Sequence, residues 1–321
     1  MRDARGAAVD EGVRAERGSG AIGLLLRDAI DYAGLFPPAA LAMPQAVEQY
    51  ARYLRSDDRW ALGRFVVQAT RLDELAAAAA HITLRAGEPG AHWRVSALLG
   101  DAAAELPMVA AFNDRRGVEV PGTPGDARVD SVELKAATTA GVAAAGRAIP
   151  RDLAAYVEIP LLGAGDQRPL VAAIADAGLR AKVRTGGVTP EAFPSPTEVA
   201  RFIAACVELA VPFKATAGLH HPLRAEYRLT YAPDSPRGAM FGFLNVFAAT
   251  ALLREGGSIA EAAGLLGEAD PHALQVTADA ICWRGHRWGS DAIAGMRAQL
   301  AGFGSCSFRE PLDDLTALGL L

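Results

Sequence analysis

Residues 181–222 constrain the fold of this 321-residue chain more than any other part of its sequence. They read as a short strand, a loop, a helix-periodic run and a second short strand, and each strand carries a lysine near its start, Lys182 and Lys214. This pattern predicts one βαβ unit with parallel strands. A charged side chain inside an apolar strand is costly to bury without a partner. Two lysines at equivalent places in neighbouring strands therefore indicate a functional site.

The rest of the chain repeats this alternation. Short β-branched runs alternate with helix-periodic runs, which predicts a mostly parallel sheet and the α/β class. Residues 1–20 lack periodicity and are predicted to form a disordered leader, and residues 21–321 form one domain with a helical cap at 222–302. The predicted strands are 64–69, 94–100, 129–136, 155–162, the two lysine strands and 303–308, and the predicted cap helices are 238–254, 259–266, 271–282 and 290–300.

Composition excludes several classes of protein. The net charge is 32 − 37 = −5 with no block of Lys or Arg, which argues against a nucleic-acid partner. No apolar run reaches the roughly 18 residues of a membrane span, and residues 21–26 are too short for a signal peptide, so we expect a cytoplasmic protein without a membrane partner. Three widely spaced cysteines argue against a disulfide framework or a zinc site. No cofactor is indicated, and a homo-oligomer is compatible with the sequence.

Polar residues gather at the ends of the predicted strands, where the active sites of parallel barrels lie. Side chains alternate across a strand, so residues two apart share a face. A lysine crowded by other cations has a lowered amine pKa, and a neutral amine can form a Schiff base with a carbonyl. The alternative is a buried structural network of lysines and glutamates. The residues concerned are Glu133, Lys135, Glu158, Lys182, Arg184, Lys214 and Thr216.

Five segments resemble the motifs of the deoxyribose-phosphate aldolase family of class I aldolases, and they occur in the same order. Residues 182–186, KVRTG, are similar to the K-T-S-T-G of the Schiff-base lysine, and residues 214–220 to a second motif, K-x-x-G-G-x-R. Residues 304–307 resemble a G-A-S-S run. Residues 30–37 resemble I-D-H-T-x-L-K-P, and residues 130–133 resemble D-E-I-D.

The resemblance implies a (β/α)₈ TIM barrel with a helical insertion before its last strand. It implies that Lys182 captures the carbonyl carbon and that Lys214 lowers the pKa of Lys182. It also implies that Glu133 and Asp31, with water, relay protons. The activity it implies is that of a lyase that makes or breaks a carbon–carbon bond.

The departures from the family motifs indicate a different substrate. Arg184 stands in place of a small residue and could hold a carboxylate through two hydrogen bonds. His220 replaces an arginine of the phosphate site, Ala217 replaces a glycine and Cys306 replaces a serine. We therefore expect a small anionic carbonyl substrate rather than deoxyribose 5-phosphate. The residues predicted to bind it are Arg184, Thr185, Gly186, Gly187, Thr216, Gly218, His220, His221, Lys135, Glu158, Ser305 and Ser307.

Other interpretations stay open on the sequence alone. One is an enzyme without an imine, in which the cationic mouth with His220 and His221 holds a metal or an anionic substrate. Glu133 or Glu158 could join the histidines as metal ligands, although adjacent residues in an extended segment point opposite ways, and no metal is assigned. A non-catalytic ligand-binding barrel is a further alternative. Cys306 is not favoured as a nucleophile because the sequence fixes no histidine beside it.

Two polar residues have a structural interpretation as well as a functional one. Asp31 could be a helix-end or turn residue just before a Pro-Pro break. Asn245 lies in a strongly apolar helix and is more typical of a core amide than of a lid contact.

Overall fold

The computed structural model describes residues 18–80, 82, 93–114 and 127–321, so most of the predicted leader lies outside the described part. In chain order, the described strands are β1 (Ile30–Tyr32), β2 (Leu62–Gln68), β3 (Arg94–Leu99), β4 (Arg128–Lys135), β5 (Ala154–Glu158), β6 (Arg180–Arg184), β7 (Phe213–Thr216), β8 (Ala225–Arg228), β9 (Arg237–Met240), β10 (Leu274–Val276), β11 (Ile281–Trp283), β12 (His286–Trp288) and β13 (Leu300–Ser305). The described helices are α1 (Gly20–Leu26), α2 (Met43–Leu54), α3 (Leu72–Ala79), α4 (Ala102–Asp114), α5 (Thr139–Ala148), α6 (Arg168–Asp176), α7 (Pro196–Glu208), α8 (Phe243–Arg254), α9 (Ile259–Leu266), α10 (Ser290–Gln299) and α11 (Arg309–Ala317).

Eight parallel strands close into a barrel in the order β1, β13, β7, β6, β5, β4, β3, β2, and β2 pairs back onto β1. Helices follow the strands and lie outside the barrel, as the sequence alternation requires. The prediction of a (β/α)₈ TIM barrel is confirmed. Within the described residues, no helix combines the length and the apolar character needed to cross a lipid bilayer.

The two lysine strands lie side by side with the lysines at the same level. β6 pairs with β7 so that Lys182 lies opposite Lys214, and β5 pairs with β6 so that Glu158 lies opposite Lys182. One level further along, Arg184 lies opposite Thr216. Because inward-pointing residues alternate along a strand, the register brings this row of charged groups into one layer of the barrel.

The helix between the two lysine strands shows why the local sequence folds as it does. Ser195 accepts a hydrogen bond from the backbone amide of Glu198, and the Glu198 carboxylate accepts one from the Ser195 amide, which together form a capping box at the start of α7. The apolar residues of the helix recur with a helical period and are buried, and Phe202 packs edge-on against Phe213 of β7. This packing fixes the position of the second lysine strand.

The first barrel strand has three residues, and all of them are buried. Asp31 is the middle residue of β1 and pairs in register with Gly304 of β13. The reading of Asp31 as a helix-end or turn residue is therefore wrong. A strand this short has no visible alternation in the sequence, and its neighbours β2 and β13 define it.

The structure corrects one of the four predicted cap helices and shortens another, since residues 238–240 belong to β9 and α8 begins at Phe243. Residues 271–282 form β10 and β11, which pair with β12 in a small antiparallel sheet, so the prediction of a helix there is wrong. The β11–β12 hairpin turns at Arg284 and Gly285, which both have positive φ, 44° and 88°. Two residues of positive φ between aromatic strands make a tight hairpin turn, and this overrides the helix-like spacing upstream.

The remaining parts of the cap segment lie in two different places. Helix α8 is buried along almost its whole length and packs against α7, α9, α10 and β13, so it belongs to the outer ring of helices. The β8–β9 hairpin instead reaches the carboxyl end of the barrel, where Leu229 and Met240 line a cavity. The segment thus supplies both an outer helix and part of the mouth.

Candidate active site

Five charged side chains meet inside the barrel, and we call them the charged cluster: Asp31, Glu133, Glu158, Lys182 and Lys214. Lys182 Nζ lies 2.8 Å from Glu133 Oε2 and 2.8 Å from Glu158 Oε2. Lys214 Nζ lies 2.7 Å from Asp31 Oδ2 and 2.5 Å from Glu133 Oε1. Glu133 therefore bridges the two lysines, and each lysine holds a second carboxylate of its own.

Neutral groups complete the hydrogen bonding of the cluster. The Ser96 hydroxyl donates to Glu133 Oε1 at 2.6 Å, and the backbone amide of Arg64 donates to Asp31 Oδ1 at 2.7 Å. The ring of Tyr156 lies 5.1 Å from Lys214 Nζ, which is within the range of a cation–π contact. Buried charges are tolerated only when they are paired and hydrogen-bonded, and this set meets both conditions.

Glu133 and Lys214 stay charged although they are buried. Burial alone would raise the pKa of Glu133, but the charges of Lys182 and Lys214 and their hydrogen bonds outweigh it, so the pKa of this carboxyl is well below its usual range. Burial alone would lower the pKa of Lys214, but Asp31 and Glu133 outweigh it and raise the pKa of this amine. Glu133 is thus a carboxylate and Lys214 an ammonium ion at neutral pH.

A cavity of about 250 Å³ opens above the cluster at the carboxyl ends of the strands. Its polar side includes Lys182, Lys214 and Glu133, and its other walls are largely apolar. A site with few polar groups among apolar walls is typical of small-molecule binding. The lining consists of Ala33, Phe36, Pro37, Pro38, Val66, Leu98, Glu133, Lys182, Arg184, Gly187, Val188, Lys214, Thr216, Ala217, Gly218, His220, Leu229, Met240, Gly304 and Cys306.

Arg184 lies two residues beyond Lys182 on β6 and lines the same cavity. Its side chain is exposed, and within residues 18–80, 93–114 and 127–321 its guanidinium group makes no hydrogen bond or ion pair. The neighbouring Thr216 of β7 also lines the cavity. An unpaired guanidinium at the mouth of a cavity is available to a ligand carboxylate or phosphate.

The loop after β7 has an unusual backbone. Ala217 and Gly218 both have positive φ, 64° and 71°. The Thr185 hydroxyl donates to the Ala217 carbonyl oxygen at 2.8 Å, which ties the loop to the end of β6. Gly186 lies so close to the Phe193 ring that a side chain there would collide with it. These residues shape the rim through their backbone conformation and close packing.

The two adjacent histidines do not converge. His220 lines the cavity and its Nδ1 lies 2.7 Å from Glu310 Oε2. His221 stacks on the Tyr227 ring at 3.5 Å between centroids, and its Nδ1 lies 2.6 Å from Asp314 Oδ2. Across the part of the chain that the structure describes, no group of three or more His, Cys, Asp and Glu side chains is arranged to hold a metal ion.

The remaining predicted site residues occupy different positions. Lys135 is at the rim, with its side chain 82% exposed and its Nζ 3.8 Å from Glu158 Oε1. Ser305 is buried and donates to the Ser307 carbonyl oxygen, while the Ser307 hydroxyl accepts from the Glu310 amide at the start of α11. Asp31 and Glu158 do not line the cavity and act on it only through the lysines.

Several residues of the site escaped the sequence reasoning. Ser96 and Glu310 carry no motif of their own, and only the closed barrel and the packing of α11 bring them to the site. One signal was available: the chain has three lysines among its 32 basic residues, and they are Lys135, Lys182 and Lys214. All three lie at this end of the barrel, and every other basic residue of the chain is an arginine.

Asn245 is a core amide. Its side chain accepts from the Arg224 amide at 3.0 Å and donates to the carbonyl oxygens of Leu265 and Glu268 at 3.0 and 3.1 Å.

No protein-family model matches the chain, and no curated protein matches it. Neither comparison therefore gives a relative from which to transfer a function. Functional inference therefore depends on the geometry of the charged cluster and the cavity above it.

Proposed function

We propose that this protein is a class I aldolase-like lyase, in which Lys182 forms a Schiff base with a small anionic carbonyl compound. The TIM-barrel fold is compatible with such an enzyme. The observation that carries the proposal is the pair of buried lysines bridged by Glu133 beneath the cavity. The confinement of lysine to the barrel mouth supports it, because a primary amine can form an imine and a guanidinium does not.

The two lysines have different surroundings, and these favour Lys182 as the nucleophile. Lys214 is 3% exposed, contacts Asp31 and Glu133, and has a raised pKa that keeps it protonated. Lys182 is 6% exposed, contacts Glu133 and Glu158, and precedes Arg184 on the same strand. In the proposal Lys214 stays an ammonium ion that holds Glu133 in place, while Lys182 reacts.

The proposed reaction needs groups that can accept and return protons. Lys182 passes a proton to Glu158, 2.8 Å away, and its free amine attacks the carbonyl carbon. Ammonium and carbonyl together give an iminium ion and one water. For cleavage, a carboxylate takes the proton of the β-hydroxyl, the carbon–carbon bond breaks, and its electron pair moves into the iminium ion to give an enamine. An aldehyde leaves, and protonation and hydrolysis of the enamine release the second product.

The size and charge of the cavity support a small anionic carbonyl compound as the substrate. Its volume of about 250 Å³ is below the roughly 300–1,000 Å³ of sites for drug-sized ligands. A small carbonyl compound fits this space. The unpaired Arg184 favours a carboxylate on that compound, since guanidinium and carboxylate match in geometry and charge.

Borohydride trapping tests the proposal with a matched pair of probes, pyruvate and acetone, which differ in the carboxylate. We expect a reduced adduct at Lys182, found by peptide mass spectrometry, with more adduct from pyruvate than from acetone. Lys182→Met removes it, whereas Lys135→Met, at the exposed lysine, leaves it unchanged. Adducts confined to Lys135, or none at Lys182 when pyruvate binds, would exclude the imine mechanism.

A second function is supported by the same contacts. Each ammonium group already holds two carboxylates, which is what a structural ion network requires. In that case the barrel binds an anion through Arg184 without covalent chemistry. Binding of pyruvate measured by calorimetry in the Lys182→Met variant, with an affinity equal to that of the wild type and no trapped adduct in either protein, would favour this function.

A further inference from the structure

A second group of reactive side chains borders the cavity, formed by Cys306, His220 and Glu310. His220 Nε2 lies 3.8 Å from Cys306 Sγ, and His220 Nδ1 lies 2.7 Å from Glu310 Oε2. The imidazole therefore stands between a thiol and a carboxylate. A nucleophile, a base and a group that orients the base form the arrangement that activates cysteine in enzymes.

The three residues come together only through the barrel. Cys306 follows the end of β13, His220 lies in the loop after β7, and Glu310 is in the first turn of α11. Strands β7 and β13 are neighbours in the barrel, so their carboxyl ends place the thiol beside the imidazole. This supplies the fixed histidine that the sequence could not show beside Cys306.

The thiol is reachable from the cavity and from little else. Cys306 is 5% exposed and lines the cavity together with His220 and Lys182. The Tyr231 hydroxyl, from the loop after β8, lies 3.5 Å from Cys306 Sγ. A thiol that lines this cavity is open to a small electrophile that enters the cavity.

The electrostatics of His220 agree with a base that has taken up a proton. Burial alone would lower the pKa of this imidazole, but its hydrogen bonds to Cys306 and Glu310 outweigh it and raise the pKa to about 10. The pKa of Glu310 is lowered, because the hydrogen bond and charge of His220 outweigh the effect of burial. A charged imidazolium can give a proton to the oxygen of a carbonyl group that the sulfur attacks.

We propose that Cys306 is a second nucleophile of the cavity, with His220 as its acid and base, and that it binds an aldehyde as a thiohemiacetal. The thiolate sulfur forms a bond to the aldehyde carbon, the π electrons of the carbonyl move to its oxygen, and that oxygen takes the proton from His220 Nε2. The reverse steps release the aldehyde. No oxidant or other reactant is needed.

This proposal deepens the proposed function, since an aldolase binds a second carbonyl compound beside the one held by lysine. Lys182 and Cys306 both line the cavity, so the amine would hold one partner and the thiol the aldehyde. The idea can nevertheless be tested without an imine, because it concerns a different residue and a different bond.

The other two cysteines provide internal controls for an alkylation experiment with iodoacetamide. Cys282 is partly exposed, and Cys206 is fully buried with its pKa raised by burial. At about pH 6 an ordinary thiol is almost entirely protonated, so we expect Cys306 to react about tenfold faster than Cys282. Cys206 stays unmodified as long as the fold is intact. Replacing the base, His220→Asn, should remove the advantage of Cys306.

Protection by an aldehyde tests the bond itself. Propanal should slow the alkylation of Cys306 severalfold, whereas 1-propanol, of similar size but without a carbonyl, should not. The same protection in Lys182→Met would show that it does not come from an imine at the lysine. The proposal is overturned if Cys306 reacts no faster than Cys282 in a protein whose Cys206 is unmodified. It is equally overturned if propanal and 1-propanol protect alike, or if protection disappears with Lys182.

Discussion

Replacing each lysine of the charged cluster with methionine should give unequal losses of stability. Lys214→Met leaves Asp31 and Glu133 without the cation that they share. Among the residues that the structure describes, Asp31 then keeps the Arg64 amide as its one hydrogen-bond donor. Removing one partner from a buried ion pair costs about 3–5 kcal/mol because an uncompensated charge remains. We expect a loss of this size for Lys214→Met.

Lys182→Met should lower the free energy of unfolding by about 1–3 kcal/mol. This is the loss expected when one buried polar group loses a hydrogen-bond partner. Glu133 keeps Lys214 and the Ser96 hydroxyl, and Glu158 is near the rim with Lys135 at 3.8 Å. The charge left behind is therefore compensated better than in Lys214→Met. Methionine fills a similar volume, which keeps the cavity contribution small in both variants.

The assay is equilibrium unfolding in urea, followed by tryptophan fluorescence and by far-ultraviolet circular dichroism, with coincident transitions as the condition for comparing free energies. The double variant Lys214→Met with Asp31→Asn removes the orphaned charge and should recover part of the loss. A loss for Lys182→Met equal to or larger than that for Lys214→Met would refute the inference that the buried carboxylates depend more on Lys214 than on Lys182.

The pH dependence provides an independent check of the same reasoning. In the wild type the pKa of Glu133 is below its unfolded value of about 4.3, so the stability it contributes is present above that pH and is lost only as the pH falls through the folded pKa. Without Lys214, Glu133 keeps Lys182 but loses part of this effect, so its folded pKa lies closer to the unfolded value. The difference in unfolding free energy between wild type and Lys214→Met should therefore shrink as the pH falls below about 4.3.

Three further predictions concern single residues of the mouth. At a limiting concentration of pyruvate, Arg184→Ala should reduce the yield of the borohydride-trapped adduct about tenfold and leave the midpoint of thermal unfolding unchanged. The reason is that an exposed guanidinium without a partner among the described residues supports ligand binding and not folding. An unchanged yield of adduct would contradict this. Ala217→Gly should stabilise the protein by up to about 1 kcal/mol in urea unfolding, since φ of 64° strains any residue with a Cβ, and a loss of stability would exclude that explanation. His220 has its pKa raised to about 10 from an unfolded value of about 6.5, so its contribution is complete below about pH 6.5 and is lost as the pH rises through about 10. Unfolding of wild type and His220→Asn should thus converge at alkaline pH, and a constant difference would rule out this charge as the cause.

Much of the fold could be read from the sequence because it depends on local patterns. The alternation of short β-branched runs with helical periods predicted a mostly parallel sheet, and the family resemblance implied that it closes into a barrel. The helix at residues 259–266 matches its predicted bounds. The failures occurred where local patterns were weak or in conflict. The three residues of β1 are too few to show alternation, and the helix-like spacing at 271–282 concealed a hairpin whose signal was the tight turn at Arg284 and Gly285.

The sequence by itself determined that two lysines would stand at equivalent positions of adjacent parallel strands, since strand period and βαβ geometry fix that relation, and Lys182 does lie opposite Lys214. Only the tertiary structure decided which side chains those lysines contact. Asp31 reaches Lys214 across 183 positions of the chain, and Cys306 reaches His220 across 86. Contacts this distant in sequence follow from barrel closure, which joins the first and last strands, and no local pattern encodes them.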